Sequence, residues 1–378
     1  MKRLLHIVLL LLVAATATCC SHGRPTDGSA NDSISVNNEP PESYLTILVA
    51  GDLMQHMPQI NAARTAGGYD YTECFAAVKD IISEADVAVA NFEVTLGGQP
   101  YSGYPRFSCP DEFLQASLDA GFDVLMTSNN HCCDSGLKGL NRTIDMMDSL
   151  HVPHFGTYKD AAAREAQYPL LVEKHGFRVV FLGFTYATNG IPVPKPSVVN
   201  MIDTVQIAAD IAKAKSMNPD LIIAMPHWGI EYQMTPAKPD VAVADWLLSK
   251  GVDHVIGGHP HVLQPFERRN ADAANGGNVV AYSLGNFVSN QYKPNTTGGA
   301  MVRLHFTKTP AGVTLDDCGY ILTWVSRPQT SGRKNYRIVP LVGSDSLLNA
   351  NDRRLRDTHA ATARGVFSKY NVDFEEIK

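Results

Sequence analysis

Six short apolar runs, most of them ending in polar residues, constrain this chain more than any other feature. Leu45–Ala50 leads to Gly51-Asp52, Ala85–Ala90 to Asn91-Phe92-Glu93, and Asp123–Thr127 to Ser128-Asn129-Asn130-His131. Val179–Phe184 is a further buried run. Leu221–Met225 leads to Pro226-His227-Trp228, and Val252–Ile256 to Gly257-Gly258-His259-Pro260-His261. Such runs, bounded by turn-forming residues, read as buried strands. Between them the sequence predicts helices over 72–84, 110–120, 137–150, 204–215 and 240–250. Strands alternating with helices indicate an α/β fold with a largely parallel sheet, in which functional groups collect at the carboxyl ends of strands. After Gln264 the pattern changes. Strands are predicted over 279–284, 301–306, 320–325 and 336–341, with Gly-, Asn- and Pro-rich turns between them. These are expected to form a second, antiparallel sheet packed on the first. Asn351–Lys378 reads as a terminal helix with a polar tail.

Five strand ends carry candidate metal ligands: Asp52 with His56, Glu93, Asn130 with His131, His227, and His259 with His261. Carboxylate, imidazole and amide oxygen together suit zinc, manganese or iron. In His259-Pro260-His261 the proline disfavours helix at His259. An extended segment projects residues i and i+2 to one side, so the two imidazoles are expected to point together. Each residue also has a plainer role. Gly-Asp is a common turn, and Glu93 would suit a helix start. Asn130 and His131 would suit a turn, with Asp134 capping the next helix. His227 beside Trp228 would serve as a packed histidine. Together, ligand-type residues after five strands point to a metal site more than to turn chemistry. His151, His154, His175, His254 and His305 lack that context and read as structural.

Six ordered motifs carry a resemblance to a known family. They are Gly51-Asp52-Leu53-Met54-Gln55-His56, Asn91-Phe92-Glu93, Asn129 to Gly136, His227 to Tyr232, Gly258 to Gln264, and Ser283-Leu284-Gly285-Asn286-Phe287. This set resembles the CapA family of poly-γ-glutamate capsule biosynthesis proteins, related to calcineurin-like metallophosphoesterases, over about Leu45–Phe306. The resemblance implies a four-layer α/β/β/α sandwich of two mixed sheets and a site for two divalent ions. It places Asp52, His56 and His261 on one ion, Asn130, His227 and His259 on the other, and Glu93 between them. His131 would not bind metal but would act on the substrate. Three residues separate Asp52 from His56 where the superfamily usually has one, and Glu93 stands where it usually has aspartate. Metal-bound hydroxide would then attack a phosphoester or acyl centre. Trp228, Glu231 and Tyr232 read as substrate-wall or supporting residues, with Glu231 either orienting His227 or lying on the surface. Asn286 and Phe287 are expected to close the pocket rim.

The remaining sequence sets the context. Met1-Lys2-Arg3, the apolar run Leu4–Ala17 and Cys19-Cys20 have the layout of a secretory signal peptide over 1–20, of lipoprotein type, with Cys19 or Cys20 lipidated. Residues 21–43 are polar and read as a flexible tether. Residues 44–345 would form the metallophosphoesterase-like domain and 346–378 a helix and tail. The chain is therefore expected on the cell envelope, periplasmic or outer face, held to the membrane by its N-terminal lipid. A net charge of −6 over 378 residues argues against a nucleic-acid partner. Of the seven cysteines two fall in the export segment, and the other five, an odd count with one adjacent pair, do not read as a disulfide framework. Two functions remain. One is a metal-dependent hydrolase acting on an anionic polymer or phosphoester, working with a capsule synthase complex. The other is a non-catalytic, metal-stabilised polymer-binding or capsule-assembly factor.

Overall fold

The structure, a computed structural model, describes residues 42–378. The expected signal peptide, the lipidation site at Cys19 or Cys20 and nearly all of the tether lie outside the described residues. The first part of the chain runs β1 (Ser43–Leu53), α1 (Met57–Ala63), α2 (Thr72–Phe75), α3 (Lys79–Ser83), β2 (Val87–Phe92), α4 (Asp111–Asp119), β3 (Val124–Met126), α5 (Gly136–Ser149) and β4 (His154–Phe155). The middle runs β5 (Thr157–Tyr158), α6 (Ala161–Gln167), β6 (Leu170–Lys174), β7 (Phe177–Thr185), β8 (Val198–Val199), α7 (Thr204–Ser216), β9 (Leu221–His227), α8 (Lys238–Ser249), β10 (His254–Ile256), β11 (Phe266–Arg269) and β12 (Asn278–Ala281). The last part runs β13 (Asn286–Val288), β14 (Gly298–Thr309), β15 (Gly312–Ser326), α9 (Pro328–Ser331), β16 (Arg337–Pro340), α10 (Ala350–Tyr370) and β17 (Glu375–Glu376).

Two mixed sheets result. The first has the order β16-β15-β14-β1-β2-β3-β4, with β13 on β1 and β17 on β15; the second has the order β11-β12-β10-β9-β7-β6. Strands β1 to β4 are mutually parallel, as are β7, β9, β10 and β12. On β1, Ile47 and Val49 enter a core shared with β7, β9 and β14, whereas Leu48 and Ala50 face a core filled by Ile60, Phe75, Ile82 and Phe113 from α1 to α4. Residues 221–225 of β9 are all buried in the first of these cores, beside Ile207 and Ile211 of α7 and Leu247 of α8. Burial on both faces is why the parallel strands read as continuous apolar runs. The layers are thus helix, sheet, sheet, helix.

Of the four strands predicted after Gln264, only the one over 279–284 joins the second sheet, as β12. β14, β15 and β16 extend the first sheet, because β14 pairs antiparallel with β1 from Ser43↔Lys308 to Ala50↔Met301. The second sheet is built from the middle of the chain instead. The helix expected over 72–84 is split at Ala76–Val78, although no breaker residue occurs there. Burial of Phe75, Val78 and Ile82 overrides the local helical signal. Helix α10 packs through Phe367, whose ring lies 4.6 Å from both Phe266 and Tyr320. Among the described residues no helix is long and apolar enough to cross a membrane, and Cys74, Cys109, Cys132, Cys133 and Cys318 are free thiols.

One local device recurs at the amino ends of the strands. Asp86, Asp123, Asp220 and Asp253 each precede a strand and donate their N–H to the carbonyl of a neighbouring-strand residue, respectively Thr46, Ala88, Arg178 and Ile222. Each carboxylate then accepts the N–H of that same residue at 2.8 Å. These clasps satisfy strand-end donors that the ladder leaves open.

Candidate metal centre

The carboxyl ends of β1, β2 and β9, with the loops after β3 and β10, converge on one buried cluster. Asp52, Glu93 and His227 are fully buried, and His259 and His261 are 1% exposed. His227 Nε2 lies 2.8 Å from Asn130 Oδ1 and 3.6 Å from Glu93 Oε1. His261 Nδ1 lies 3.4 Å from Asp52 Oδ2, and its Nε2 lies 3.9 Å from Glu93 Oε1. The structure therefore brings together six of the seven expected ligands: Asp52, Glu93, Asn130, His227, His259 and His261.

Two glycines make the convergence possible. A Cβ on Gly51 would lie 2.1 Å from the Gly285 carbonyl oxygen, so the β1 end approaches the β13 entry closely only as glycine. A Cβ on Gly258 would lie 2.9 Å from Asp52 Oδ1. The next residues are not extended, contrary to the expectation for His259-Pro260-His261. His259 has φ +100° and His261 φ +58°. Left-handed backbone at two non-glycine residues costs on the order of 1–3 kcal/mol each. Both rings still enter the cluster, with centroids 5.8 Å apart.

The electrostatics favour a cation. Burial, then the charge of Asp52, push the Glu93 carboxyl well above its usual range. Burial, then the neighbouring histidines, hold His227 and His259 well below theirs. The imidazoles are neutral and offer lone pairs. Asp52 Oδ2, Glu93 Oε1 and His259 Nδ1 are buried without a hydrogen-bond partner, a costly state for polar atoms. Donor atoms of Glu93, His259 and His261 lie within 4.8 Å of one another, and so do those of Asp52, Glu93 and His227. Two ligand atoms at about 2.0–2.2 Å from one ion stand about 3–4.4 Å apart, and the separations of Glu93 Oε1 from His227 at 3.6 Å and His261 at 3.9 Å fall in that range. Glu93 belongs to both groups, as a bridging carboxylate would.

Within the cluster His261 Nδ1 approaches Asp52 at 3.4 Å, while His227 Nε2 approaches Asn130 at 2.8 Å and its ring lies 4.8 Å from that of His259; the two donor groups share Glu93 and do not divide the ligands between ions. His56 stands outside both groups. It is the N-cap of α1, its N–H donates to Gln59 Oε1 at 2.8 Å, and its Nδ1 lies 3.3 Å from the Asn290 N–H. The longer spacing from Asp52 delivers His56 to a helix start. Burial lowers its pKa to about 4.

The supporting residues also sort out. His131 Nδ1 lies 2.7 Å from Asp134 Oδ2, and its ring packs edge-on against Phe107 at 4.5 Å. Asp134 is thus the partner of His131 and not a helix cap; Ser135 precedes α5. No helix starts at Glu93. Asn286 Oδ1 lies 3.1 Å from His261 Nδ1. Tyr232 has its ring 6.2 Å from that of His261. Glu231 is exposed, the second of its two readings, and both ring nitrogens of His227 meet asparagines. Two expectations are corrected. Trp228 is buried, its Nε1 donating to the Tyr282 carbonyl, so it supports the core and walls no pocket. Phe287 is fully buried against Phe122 and closes no rim.

Several residues were missed as candidates. Asn91 is the hub of the cluster: its Nδ2 lies 2.8 Å from Asp52 Oδ1, 3.3 Å from Glu93 Oε2 and 3.2 Å from His227 Nδ1. Asn129 holds Asn91 Oδ1 and donates to the Phe92 carbonyl. Both sit in the motifs already quoted, and their amides at strand ends were the available signal. Tyr186, directly after β7, packs its ring at a tilt against His259 at 4.4 Å, and β7 is the buried run whose sequence shows no polar tip of ligand type.

The architecture and cluster define an α/β sandwich with a buried carboxylate–histidine site of metal-binding type. Residues 46–291 match the family described as "Bacterial capsule synthesis protein PGA_cap", and the chain belongs to that family. It is 31% identical over 275 residues to the capsule biosynthesis protein CapA of Bacillus anthracis, covering 69% of this chain and 64% of that protein. It is 29% identical over 252 residues to the PGA biosynthesis protein CapA of Bacillus subtilis (strain 168), covering 63% and 62%. The chain thus spans less than two thirds of the length of these relatives. Among solved structures, the calcineurin-like phosphoesterase YfkN from Bacillus subtilis is similar with a TM-score of 0.45 and 16% identity, covering 86% of this chain and 99% of that one.

Proposed function

We propose that this chain is a metal-dependent hydrolase acting on a poly-γ-glutamate-like polymer during capsule synthesis, processing or export, and that it works at the cell envelope as a lipid-anchored, exported protein. One observation carries the reading: buried carboxylate and imidazole atoms without protein partners meet beside an oriented His131–Asp134 pair. Asp52, Glu93, Asn130, His227, His259 and His261 would hold the metal, of zinc, manganese or iron type. A bound divalent ion supplies Lewis acidity toward an acyl or phosphoryl oxygen and makes water more acidic. Asp134 fixes the proton of His131 on Nδ1, which leaves Nε2 to exchange a proton with the leaving group. Tyr186 and Asn189 flank that space, with the Asn189 amide 3.4 Å from the His131 ring nitrogens.

The test uses the full chain. Bound metal is measured, and γ-glutamyl peptides and phosphoesters are screened with wild type and His131→Ala. The expected result is equal metal content and a loss of hydrolysis of about 10²- to 10⁴-fold in the variant. A protein that binds no divalent metal overturns the reading. If metal is bound and His131→Ala changes nothing, the assembly-factor function replaces it.

A further inference from the structure

A cavity of about 460 Å³ is lined among others by Tyr292, Lys293, Trp324, Arg327, Thr358 and His359. Its lining contains no carboxylate and two cationic side chains. Lys293 is exposed, with Nζ 3.7 Å from the centre of the Tyr232 ring. Arg327 is half-buried and donates to the Gln291 carbonyl, and burial holds its pKa below the usual value. His359, on α10, is 6% exposed, and neither ring nitrogen has a hydrogen-bond partner. Burial lowers its pKa to about 4, so the neutral ring offers one donor and one acceptor. A cavity that concentrates positive charge and leaves a buried imidazole unpartnered is organised for an anionic, hydrogen-bonding group.

The same loop that lines this cavity also supports the metal centre. Gln291 Oε1 accepts from Asn286 Nδ2 at 3.1 Å, and Asn286 Oδ1 lies 3.1 Å from His261. Tyr232 touches both sides, under Lys293 and beside His261. A chain bound across the metal centre would therefore run along this loop. Every unit of a polyglutamate chain carries a carboxylate that takes no part in the bond being broken.

We propose that the cavity is a second subsite, which receives a free carboxylate of an anionic polymer on Lys293, Arg327 and His359 while a neighbouring unit lies at the metal centre. The proposal deepens the polymer reading above and rests on it. A γ-linked glutamate pentamer is titrated calorimetrically into the metal-loaded full chain, with inorganic phosphate as a second probe. Arg327→Gln and Lys293→Gln should each weaken pentamer binding about tenfold, the size expected for losing one charge-assisted contact. Arg327→Lys should restore most of that loss, and bound metal should stay unchanged. If Arg327→Gln does not fold, Lys293→Gln on the exposed loop carries the test. Pentamer binding unaffected by either substitution overturns the proposal. So does a loss confined to phosphate, which would make the cavity a phosphate site. The titration does not read hydrolysis. An inactive protein that binds pentamer through Arg327 keeps the subsite and loses the hydrolase, and an active one indifferent to both substitutions does the reverse.

Discussion

At the amino ends of β2, β3, β9 and β10, four aspartates return a carboxylate to the same neighbouring residue that accepts their N–H. At the carboxyl ends, Asp52 and Glu93 are buried as deeply or more so, yet each keeps an oxygen without a protein partner. The residue chemistry is the same and the strands are largely the same; the difference is completion. A clasp aspartate finds all the partners it needs in the sheet, and its role ends with the fold. Asp52 and Glu93 are left with capacity that only something outside the chain can fill. Backbone strain at His259 and His261 sits beside these donors, where the surrounding packing must hold it.

Substitutions at the two ends should therefore separate ion binding from stability. Glu93→Gln should have the largest effect. It keeps the side-chain shape but removes the charge shared by both donor groups, and ion affinity should fall by at least about a hundredfold, read by titration with Mn²⁺ or Zn²⁺. The rise in Tm that wild type shows on adding metal should vanish with it. Unchanged affinity would break the comparison at its centre. Gly258→Ala comes next. Its Cβ meets Asp52 Oδ1 at 2.9 Å, so affinity should fall about tenfold and the metal-free protein should lose about 1–3 kcal/mol in urea unfolding. Asp123→Ala should do the opposite of Glu93→Gln. It leaves the Ala88 N–H without its carboxylate, costing about 1–2 kcal/mol while ion affinity stays at the wild-type value. A loss of ion binding there would show that the clasps also tune the site.

The smallest effect belongs to Asp253. Burial raises its carboxyl from 3.8 to about 6. Between those values the folded chain holds a proton that the unfolded chain has released. The stability it contributes is full below pH 3.8 and is lost as pH rises through about 6. Asp253→Asn should flatten that segment of a stability-against-pH curve measured in urea. A slope that survives the substitution assigns it to another group.

Much of this was legible in the sequence, and the omissions have physical causes. Apolar runs located the parallel strands because burial on both faces leaves no polar alternation to mislead. The polar tips brought six of the seven ligands to one place. Sheet membership was not legible: β14 carries no mark saying that its partner is β1 and not a neighbour in sequence. His56 stands apart from the other candidates because the helix start after it draws its ring toward Gln59 and Asn290. Asn91 was read only as part of a motif, since an amide next to a carboxylate shows its value only when three acceptors surround it. The clasps went unread because an aspartate before a strand looks the same whether or not a backbone N–H waits opposite.

The path of the chain through the two sheets has a consequence in time. β1 is the first strand among the described residues and holds Asp52, but it is flanked by β14, whose residues are synthesised after the last donor, His261. The Asn286 support for His261 arrives late as well. Contacts this distant in sequence form slowly, so a growing or truncated chain cannot assemble the donor set before nearly all of it is available. Ion capture would then occur as a late event, and the moment it appears in a refolding trace would date the closure of the first sheet.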